Sequence, residues 1–227
     1  VNNNKSSYVY FSIFAQKNKE NCLTNSLSCA KFMLLTMERI LFRILCFFPS
    51  QQGGYKMGNK AFDVTALGEL LIDFTENGNS AQGNPMLEAN PGGAPCNVLA
   101  MLEKLGKKTA FIGKVGNDMF GTQLKNAVEE VGIDTRNLVI DNEVHTTLAF
   151  VHTYPDGDRD FSFYRNPGAD MMLTKDEIQE DLIRDSRIFH FGTLSSTHEG
   201  VREATRYAID VAKEAGCIIS FDPNLRP

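Results

Sequence analysis

The residues best suited to binding chemistry in this sequence surround two consecutive glycines, Gly92 and Gly93. Because glycine has no Cβ, a ligand can approach the backbone closely at both positions. Pro95 then occupies a predicted first helical position, where its missing N–H would have no partner in any case. The free N–H groups of this helix start, together with the amide of Asn97 one turn further along, could hold a polar, hydroxyl-rich ligand.

A carboxylate precedes the glycines at Asp73. The β-prone segment 64–67 leads into Gly68–Phe74, and a buried strand that ends in Glu69 and Asp73 would place both carboxylates at the carboxyl-terminal edge of a sheet. Open α/β sheets bind their ligands at that edge. The residue alone leaves two interpretations open: Asp73 binds ligand hydroxyls, or it caps a turn.

A second group of candidate residues follows a predicted aromatic strand. Arg165 comes directly after Phe163 and Tyr164. An arginine in that place can hold an anionic or hydroxylated ligand, or it can pair with a nearby aspartate, and the residue alone favours the pairing. Asp170 is assigned to a loop, and His190 is predicted to be a hydrogen-bonded strand histidine rather than a catalyst.

Helix and strand signals alternate along most of the chain, which implies crossover units and a largely parallel sheet. Predicted helices begin at Pro95, Asp118, the Thr174–Glu177 capping box and Val201, and end near Gly106, Val131, Ser186 and Ala215. Predicted strands are Thr109–Ile112, Leu138–Asp141, a hairpin of Thr146–Thr153 and Asp160–Tyr164, Arg187–Phe191, and a buried strand Cys217–Phe221. The Asn-rich segment Asn77–Asn84 is predicted to be a flexible connection.

Five segments, in this order, resemble the ribokinase/PfkB family of carbohydrate kinases, with the closest resemblance to its fructokinases. They are Gly68–Phe74, Pro91–Asn97, Phe111–Gly121, Phe163–Asp170 and Phe221–Pro227. The resemblance implies an α/β, ribokinase-like fold: a mostly parallel sheet with flanking helices and a small β lid. It also implies that residues 57–227 are the N-terminal portion of a sugar kinase domain that is truncated at its C-terminus.

The implied activity is transfer of the ATP γ-phosphoryl group to a sugar hydroxyl, D-fructose to fructose 6-phosphate, with ATP and Mg²⁺ as cofactors. A 2-keto-3-deoxygluconate kinase and a non-catalytic sugar-binding fragment of a pseudo-kinase are the alternatives. The resemblance assigns sugar binding to Asp73, Gly92, Gly93, Asn97, Phe163 and Arg165, and the phosphate side to Asn224 and Arg226. It places the catalytic base downstream, so we expect no catalytic residue in this chain and no activity from the chain as written. It also implies a homodimer formed through the lid.

Composition separates the first 56 residues from the rest. Residues 1–56 carry seven basic and two acidic side chains, whereas residues 57–227 carry sixteen and twenty-six. We therefore expect residues 1–56 to be a non-homologous extension, disordered or non-native, with a natural start at Met57. The acidic body argues against nucleic-acid binding, which requires Lys and Arg to neutralise phosphates.

The remaining classes are limited by the cysteines and by one apolar run. The five cysteines form no C-x-x-C pair, which predicts reduced thiols in a cytoplasmic enzyme with neither a disulfide framework nor a metal site. The apolar run Lys31–Phe48 is interrupted by Glu38, Arg39 and Arg43, so it does not predict a membrane span.

Overall fold

The structure, a computed structural model, describes residues 59–153 and 159–224. The strands are β1 (Phe62–Leu67), β2 (Leu71–Asn79), β3 (Pro85–Gly92), β4 (Thr109–Gly116), β5 (Asp134–Asp141), β6 (Leu148–Thr153), β7 (Arg159–Tyr164), β8 (Ser186–Gly192) and β9 (Ile218–Asp222). The helices are α1 (Ala94–Lys104), α2 (Met119–Val131), α3 (Glu180–Arg184) and α4 (Glu199–Glu214), with 3₁₀ turns at Ala169–Met172, Lys175–Glu177 and Thr193–Ser196. The predictions for residues 1–56, for the turn at 154–158 and for Arg226 lie outside the described residues.

Five strands form a parallel sheet in the order β5-β4-β1-β8-β9. This confirms the largely parallel sheet expected from the alternation of helices and strands. The chain runs outwards from β1 to β4 and β5, then returns to the other side of β1 with β8 and β9. Because crossovers between parallel strands are right-handed, this reversal places α1 and α2 on one face and α4 on the opposite face.

The core on the α4 face explains why these segments stay together. Leu67, Ile112 and Phe189 of the sheet pack in one cluster with Ile183 of α3 and Ala208 of α4, and all five side chains are fully buried. Burying a large aliphatic or aromatic side chain stabilises the folded state by roughly 1.5–3 kcal/mol. The cluster therefore fixes the position of the strand ends that carry the candidate residues.

The other four strands form a second sheet in the order β3-β2-β6-β7, which we call the lid sheet. β2 pairs antiparallel with β3 and parallel with β6, and β6 pairs antiparallel with β7. The registers align Asn90, Asp73, Ala149 and Phe163 in one row across the four strands. Directly paired residues of neighbouring strands lie on the same face, so these four side chains share one face of the lid sheet.

The predicted connection at Asn77–Asn84 is shorter than expected: residues 80–84 form the turn between β2 and β3, but the prediction for residues 77–79 was wrong. Residues 77–79 continue β2, and Pro85–Gly92 forms β3, which the sequence did not predict. Proline, asparagine and glycine are depleted in strands, so β3 gives a weak local signal. Its strand conformation comes from hydrogen bonding to β2, which is a tertiary contact.

Two further predictions needed correction. The capping box at Thr174 forms, with the Thr174 N–H donating to Glu177 Oε2 at 2.9 Å, but it closes only a 3₁₀ turn and α3 begins at Glu180. The strand β9 was expected to be buried, yet Ile218, Ile219 and Phe221 are 39, 37 and 52% exposed. An apolar run predicts a strand, but whether something covers that strand is decided elsewhere in the fold.

Within residues 59–153 and 159–224, none of the helices combines the length and apolar content that a membrane crossing requires.

Candidate active site

The topology of the parallel sheet defines a crevice between β1 and β8. These strands are neighbours, yet the chain leaves β1 towards β4 and later enters β8 from the other direction. Open α/β sheets bind ligands at such a switch point, beyond the carboxyl ends of the strands. Here β1 ends at Leu67, β8 ends at Gly192, and Gly192 pairs with Asp222 at the end of β9. Of the candidate residues, Asn224 follows β9, whereas Gly92, Phe163 and Arg165 come from the ends of β3 and β7 in the lid sheet.

The two glycines bring the backbone against two acidic residues. Gly93 has a φ of 120°, and a Cβ at this position would lie 2.3 Å from the carbonyl oxygen of Glu69. A Cβ at Gly92 would lie 2.2 Å from the carboxylate oxygen Oδ2 of Asp73. Only glycine fits at either position without displacing its neighbour. The structure thus places the bend and Asp73 together, as the sequence predicted for one site.

Asp73 does not lie at the end of the first strand, where the sequence analysis placed it. It is the third residue of β2, inside the lid sheet, and only 6% of its surface is exposed. The interpretation of Asp73 as the cap of a turn is therefore wrong. The chain turns between β1 and β2 at residues 68–70, and the apolar sequence across this junction conceals the change of sheet.

Glu69 occupies that junction. Its Oε1 accepts a hydrogen bond from the Ala94 N–H at 2.9 Å, which satisfies a free donor at the start of α1. Burial raises the pKa of Glu69 to about 7, and the Glu69 charge adds to the burial that raises the pKa of the Cys96 thiol. Sequence analysis grouped Glu69 with Asp73 but gave it no role. The available signal was an acidic residue directly after a strand, together with an Ala-Pro helix start that lacks a capping side chain.

Arg165 pairs with Asp170, which is one of the two interpretations that the sequence left open. Its Nε and Nη2 donate to Asp170 Oδ2 at 2.8 and 2.6 Å. Nη1 donates to Thr197 Oγ1 at 2.8 Å, and Nη2 also donates to the Leu194 carbonyl at 3.1 Å. The side chains of Arg165 and Asp170 are only 9 and 2% exposed. The guanidinium thus joins the end of β7 to two 3₁₀ turns of the body.

Asp170 has a second partner, Thr147, which sequence analysis missed. Its Oδ1 accepts a hydrogen bond from Thr147 Oγ1 at 2.5 Å, so the carboxylate is held by groups at the base of both β6 and β7. Asp170 lies in the 3₁₀ turn Ala169–Met172 rather than in an irregular loop. The sequence could not predict that Thr147 binds Asp170 or that Thr197 binds Arg165, because the members of each pair are 23 and 32 residues apart in the chain.

Phe163 is the exposed member of the row that contains Asp73. It is 46% exposed, its ring stacks on Phe161 with a centroid distance of 6.0 Å, and it pairs with Ala149. Ala149 in turn pairs with Asp73, so Phe163 and Asp73 share one face of the lid sheet with a small side chain between them. An open aromatic surface is thereby available beside a buried carboxylate.

The remaining predicted residues lie on α1, on β8 and just after β9. Asn97 belongs to the first turns of α1, and its Oδ1 is buried with no hydrogen bond to the part of the chain that the structure describes. Asn224 follows β9 with a φ of 43°, and its N–H donates to Asp222 Oδ1 at 2.8 Å. His190 Nδ1 lies 3.0 Å from Ser220 Oγ, and burial lowers the pKa of the imidazole, so the prediction of a hydrogen-bonded strand histidine is confirmed.

Within the described ranges, no group of three or more His, Cys, Asp or Glu side chains is arranged to hold a metal ion. The two described cysteines, Cys96 and Cys217, are free thiols.

A parallel sheet with helices on both faces, a second four-stranded sheet and a glycine bend at a helix start make up an α/β fold with a candidate small-molecule site. The chain belongs to the pfkB family of carbohydrate kinases, whose family model matches residues 61–227. This confirms the family resemblance and the ribokinase-like α/β fold class.

The chain is similar to several fructokinases. It is 46% identical over 165 residues to a fructokinase of Solanum tuberosum, a match that covers 72% of this chain and 52% of the relative. Fructokinase-1 of Zea mays is also 46% identical, with 72% of this chain and 51% of the relative covered. The crystal structure of fructokinase with bound ATP from Xylella fastidiosa superposes with a TM-score of 0.68 at 35% identity, covering 73% of this chain and 53% of that one. The chain thus spans about half the length of the curated relatives that it matches.

Proposed function

We propose that the protein phosphorylates a hydroxyl group of D-fructose with ATP as the donor. One observation carries the proposal: the Asp73 carboxylate is packed against the backbone of Gly92 at a helix start above the sheet's switch point. A carboxylate beside a backbone without a Cβ suits a ligand with many hydroxyls, since the carboxylate accepts hydrogen bonds that hydroxyls donate. The similarity to plant and bacterial fructokinases supports fructose as the sugar.

The residues divide the task of holding the sugar. In this proposal Asp73 accepts hydrogen bonds from sugar hydroxyls, while Gly92, Gly93 and Asn97 contact the ring from the side of α1. Phe163 covers the ring with its exposed face. Arg165 holds the base of the lid sheet. Any of its N–H groups that is not bonded to Asp170 also contacts the sugar.

The chemistry is a phosphoryl transfer. A sugar hydroxyl oxygen forms a bond to the γ-phosphorus of ATP, the bond from that phosphorus to the ADP oxygen breaks, and the hydroxyl proton passes to a base. Enzymes promote this reaction mainly by positioning and by stabilising charge. We assign sugar positioning to the described residues, and the phosphate side to Asn224 at the end of β9 and to Arg226, which follows the described residues. We assign the catalytic base to none of them.

ATP is supported as the donor by the ATP that the Xylella fastidiosa fructokinase structure contains. Mg²⁺ would accompany ATP and neutralise phosphate charge, as in other phosphoryl transfers. The described residues provide no acidic cluster for the ion. We therefore propose that it is held chiefly by the nucleotide, and we assign no metal ligand in residues 59–153 and 159–224.

The test is a comparison of substrates with the intact protein as its gene encodes it. We expect kcat/KM for D-fructose to exceed that for 2-keto-3-deoxygluconate, ribose and adenosine. A preference for any of these three would contradict the assignment of fructose and leave the family unchanged. Fructose binding without phosphorylation would favour the pseudo-kinase alternative. A polypeptide confined to these 227 residues should show no turnover, and measurable turnover would mean that it holds a base.

Self-association through the lid sheet is part of the proposal. Leu87 and Tyr164 share the face opposite Asp73 and are 46 and 68% exposed, and Phe74 and Phe150 stack beside them at 5.0 Å. The same face also carries the polar residues Glu76 and His152, which are joined by a hydrogen bond of 2.8 Å. Exposed apolar side chains grouped on one sheet face commonly mark an interaction surface. Light scattering of the intact protein should give the mass of a dimer, and Tyr164→Lys should shift that mass towards the mass of a monomer.

The proposal also includes a cellular location. Cell fractionation should place the enzyme in the cytoplasm, with the ATP that it consumes.

A further inference from the structure

Glu69 is a buried acidic side chain that the proposed function leaves without a role. It lies between β1 and β2 and is only 3% exposed. Its Oε1 accepts the Ala94 N–H at 2.9 Å, whereas Oε2 is buried and has no hydrogen bond to any residue in the described ranges. A buried carboxylate oxygen without a donor is costly when the group is charged and much less so when it carries a proton.

Glu69 holds the glycine bend through its backbone as well as its side chain. The position of a Cβ on Gly93 would be 2.3 Å from the Glu69 carbonyl oxygen, so the two backbones are in direct contact. The side chain reaches the next residue, Ala94. Glu69 therefore joins the end of β1 to the start of α1, next to Gly92, against which the Asp73 carboxylate packs.

The surroundings of Glu69 favour its neutral form. Burial raises its pKa most strongly, and hydrogen bonds from its own N–H and from the Ala94 N–H oppose this. The charge of Asp170 in the 3₁₀ turn raises the pKa further, whereas that of Arg165 at the end of β7 lowers it. The Cys96 thiol of α1 stays neutral, since burial and the Glu69 charge raise its pKa. Arg165 donates two hydrogen bonds to Asp170. Within the described residues it donates none to either carboxylate oxygen of Glu69. Two buried carboxyl groups thus share one cation, and in such pairs the less well-compensated group retains its proton. Burial raises the pKa of Glu69 to about 7.

We infer that Glu69 is a positioning residue that holds the Gly93–Ala94 bend in place for the sugar as a neutral carboxylic acid, and that its ionisation weakens sugar binding. The inference rests on the proposed function for its sugar readout. An unpaired negative charge here would draw in water or draw Arg165 away from Asp170. Either change displaces residues that face the proposed sugar site.

The experiment measures KM for fructose, KM for ATP and kcat of the intact protein from pH 6 to pH 8, in the wild type, Glu69→Gln and Glu69→Met. In the wild type, KM for fructose should rise about tenfold, because one unit above a pKa of 7 only about a tenth of the molecules retain the proton. KM for ATP and kcat should change less than twofold. In Glu69→Gln, KM for fructose should stay near the wild-type value at pH 6 across the range. In Glu69→Met, KM for fructose should exceed the wild-type value at pH 6 across the whole range and should not change with pH.

The matched control is Glu103→Gln. Glu103 also accepts a backbone N–H, that of Thr109 at 2.7 Å, but from the other end of α1. This variant should show the same rise of KM with pH as the wild type. A wild-type KM that does not change with pH, or a rise that persists in Glu69→Gln, would overturn the inference.

A second readout separates failure of this inference from failure of the proposed function. Because the folded pKa is raised above the ordinary value of 4.5, neutral Glu69 contributes stability that is fully present below pH 4.5 and is lost as the pH rises through about 7. Urea denaturation should therefore show Glu69→Gln gaining stability relative to the wild type between pH 4.5 and 7. If no sugar is phosphorylated but this gain is observed, the substrate assignment fails and the neutral Glu69 stands. If the difference in unfolding free energy between Glu69→Gln and the wild type is independent of pH, the inference that Glu69 is neutral is wrong.

Discussion

At the scale of single residues, Asp73 is the side chain on which sugar recognition should depend most. Asp73→Asn keeps the size of the side chain but removes the charge from the hydrogen bonds to sugar hydroxyls. We expect a loss of fructose affinity of about 1.5–3 kcal/mol, the usual contribution of a hydrogen bond to a charged group. Isothermal titration with fructose checks this value.

The control for Asp73 is Asp160→Asn, which makes the same change at an exposed position of the same sheet. Its fructose affinity should equal that of the wild type. Because Asp73 is buried, the folded fraction of each variant should be measured beside the titration. Unchanged affinity in folded Asp73→Asn would remove Asp73 from the proposed site.

The three buried carboxyl groups Glu69, Asp73 and Asp170 have different partners and therefore different roles. Asp170 pairs with Arg165, Glu69 accepts the Ala94 N–H at the start of α1, and Asp73 lies against a glycine backbone on the sheet face that carries the exposed Phe163 ring. The same side-chain chemistry therefore serves an ion pair, a helix start and a ligand site. The hydrogen-bond partners, rather than the residue types, decide which role each group has.

At the scale of elements, the ion pair between Arg165 and Asp170 holds the lid sheet to the body. Arg165→Met removes the cation and leaves Asp170 buried without its partner. Breaking a buried pair in this way typically costs 3–5 kcal/mol, so we expect a loss of about 3 kcal/mol or more in the free energy of unfolding. Adding Asp170→Asn to this variant should recover part of the loss, since no uncompensated charge would remain.

An exposed pair in the same chain provides the comparison. Arg184 and Glu180 lie 2.8 Å apart, but their side chains are 43 and 36% exposed. Arg184→Met should cost less than about 1 kcal/mol, because solvent screens exposed pairs. Equal losses from Arg165→Met and Arg184→Met in urea denaturation would show that burial does not strengthen the first pair.

At the scale of the whole molecule, β9 presents an apolar surface beside the site. Ile218, Ile219 and Phe221 are all more than a third exposed, and Phe221 contacts Phe191 with a ring distance of 4.9 Å. A polypeptide of these 227 residues should aggregate through this strand, since exposed apolar strands pair readily with other chains. Ile219→Lys should slow the aggregation seen by light scattering. Leu105→Lys replaces an exposed apolar residue at the end of α1, away from β9, and should not slow the aggregation.

Much of the fold follows from local sequence signals. Gly106, Gly132 and Gly216 have positive φ at or just beyond the ends of α1, α2 and α4, close to where the sequence predicted those helices to end. Asp118 caps α2 by accepting the Gly121 N–H at 2.8 Å. Such signals are read reliably because helix ends are set by the φ preference of one residue and by hydrogen bonds within one turn.

Two segments were assigned wrongly because contacts with distant residues decided their structure. The strand β3 has a weak propensity of its own and exists because β2 pairs with it. The segment after Thr174 has a genuine capping box, yet Glu177 also pairs with the buried Lys114 at 2.8 Å, and a 3₁₀ turn forms instead of a longer helix. In both cases a contact between residues distant in sequence outweighed the local preference.

The sequence by itself determined the family motifs, the alternation of helices and strands, and the residue types available for a sugar site. Only the tertiary structure decided that Asp73 belongs to the lid sheet, that Arg165 is taken by Asp170, and that Glu69 is buried with one oxygen lacking a donor. The reason is physical. Backbone preferences and periodicity act over a few residues, whereas burial, ion pairing and proton affinity depend on which groups the completed fold brings within a few ångströms of one another.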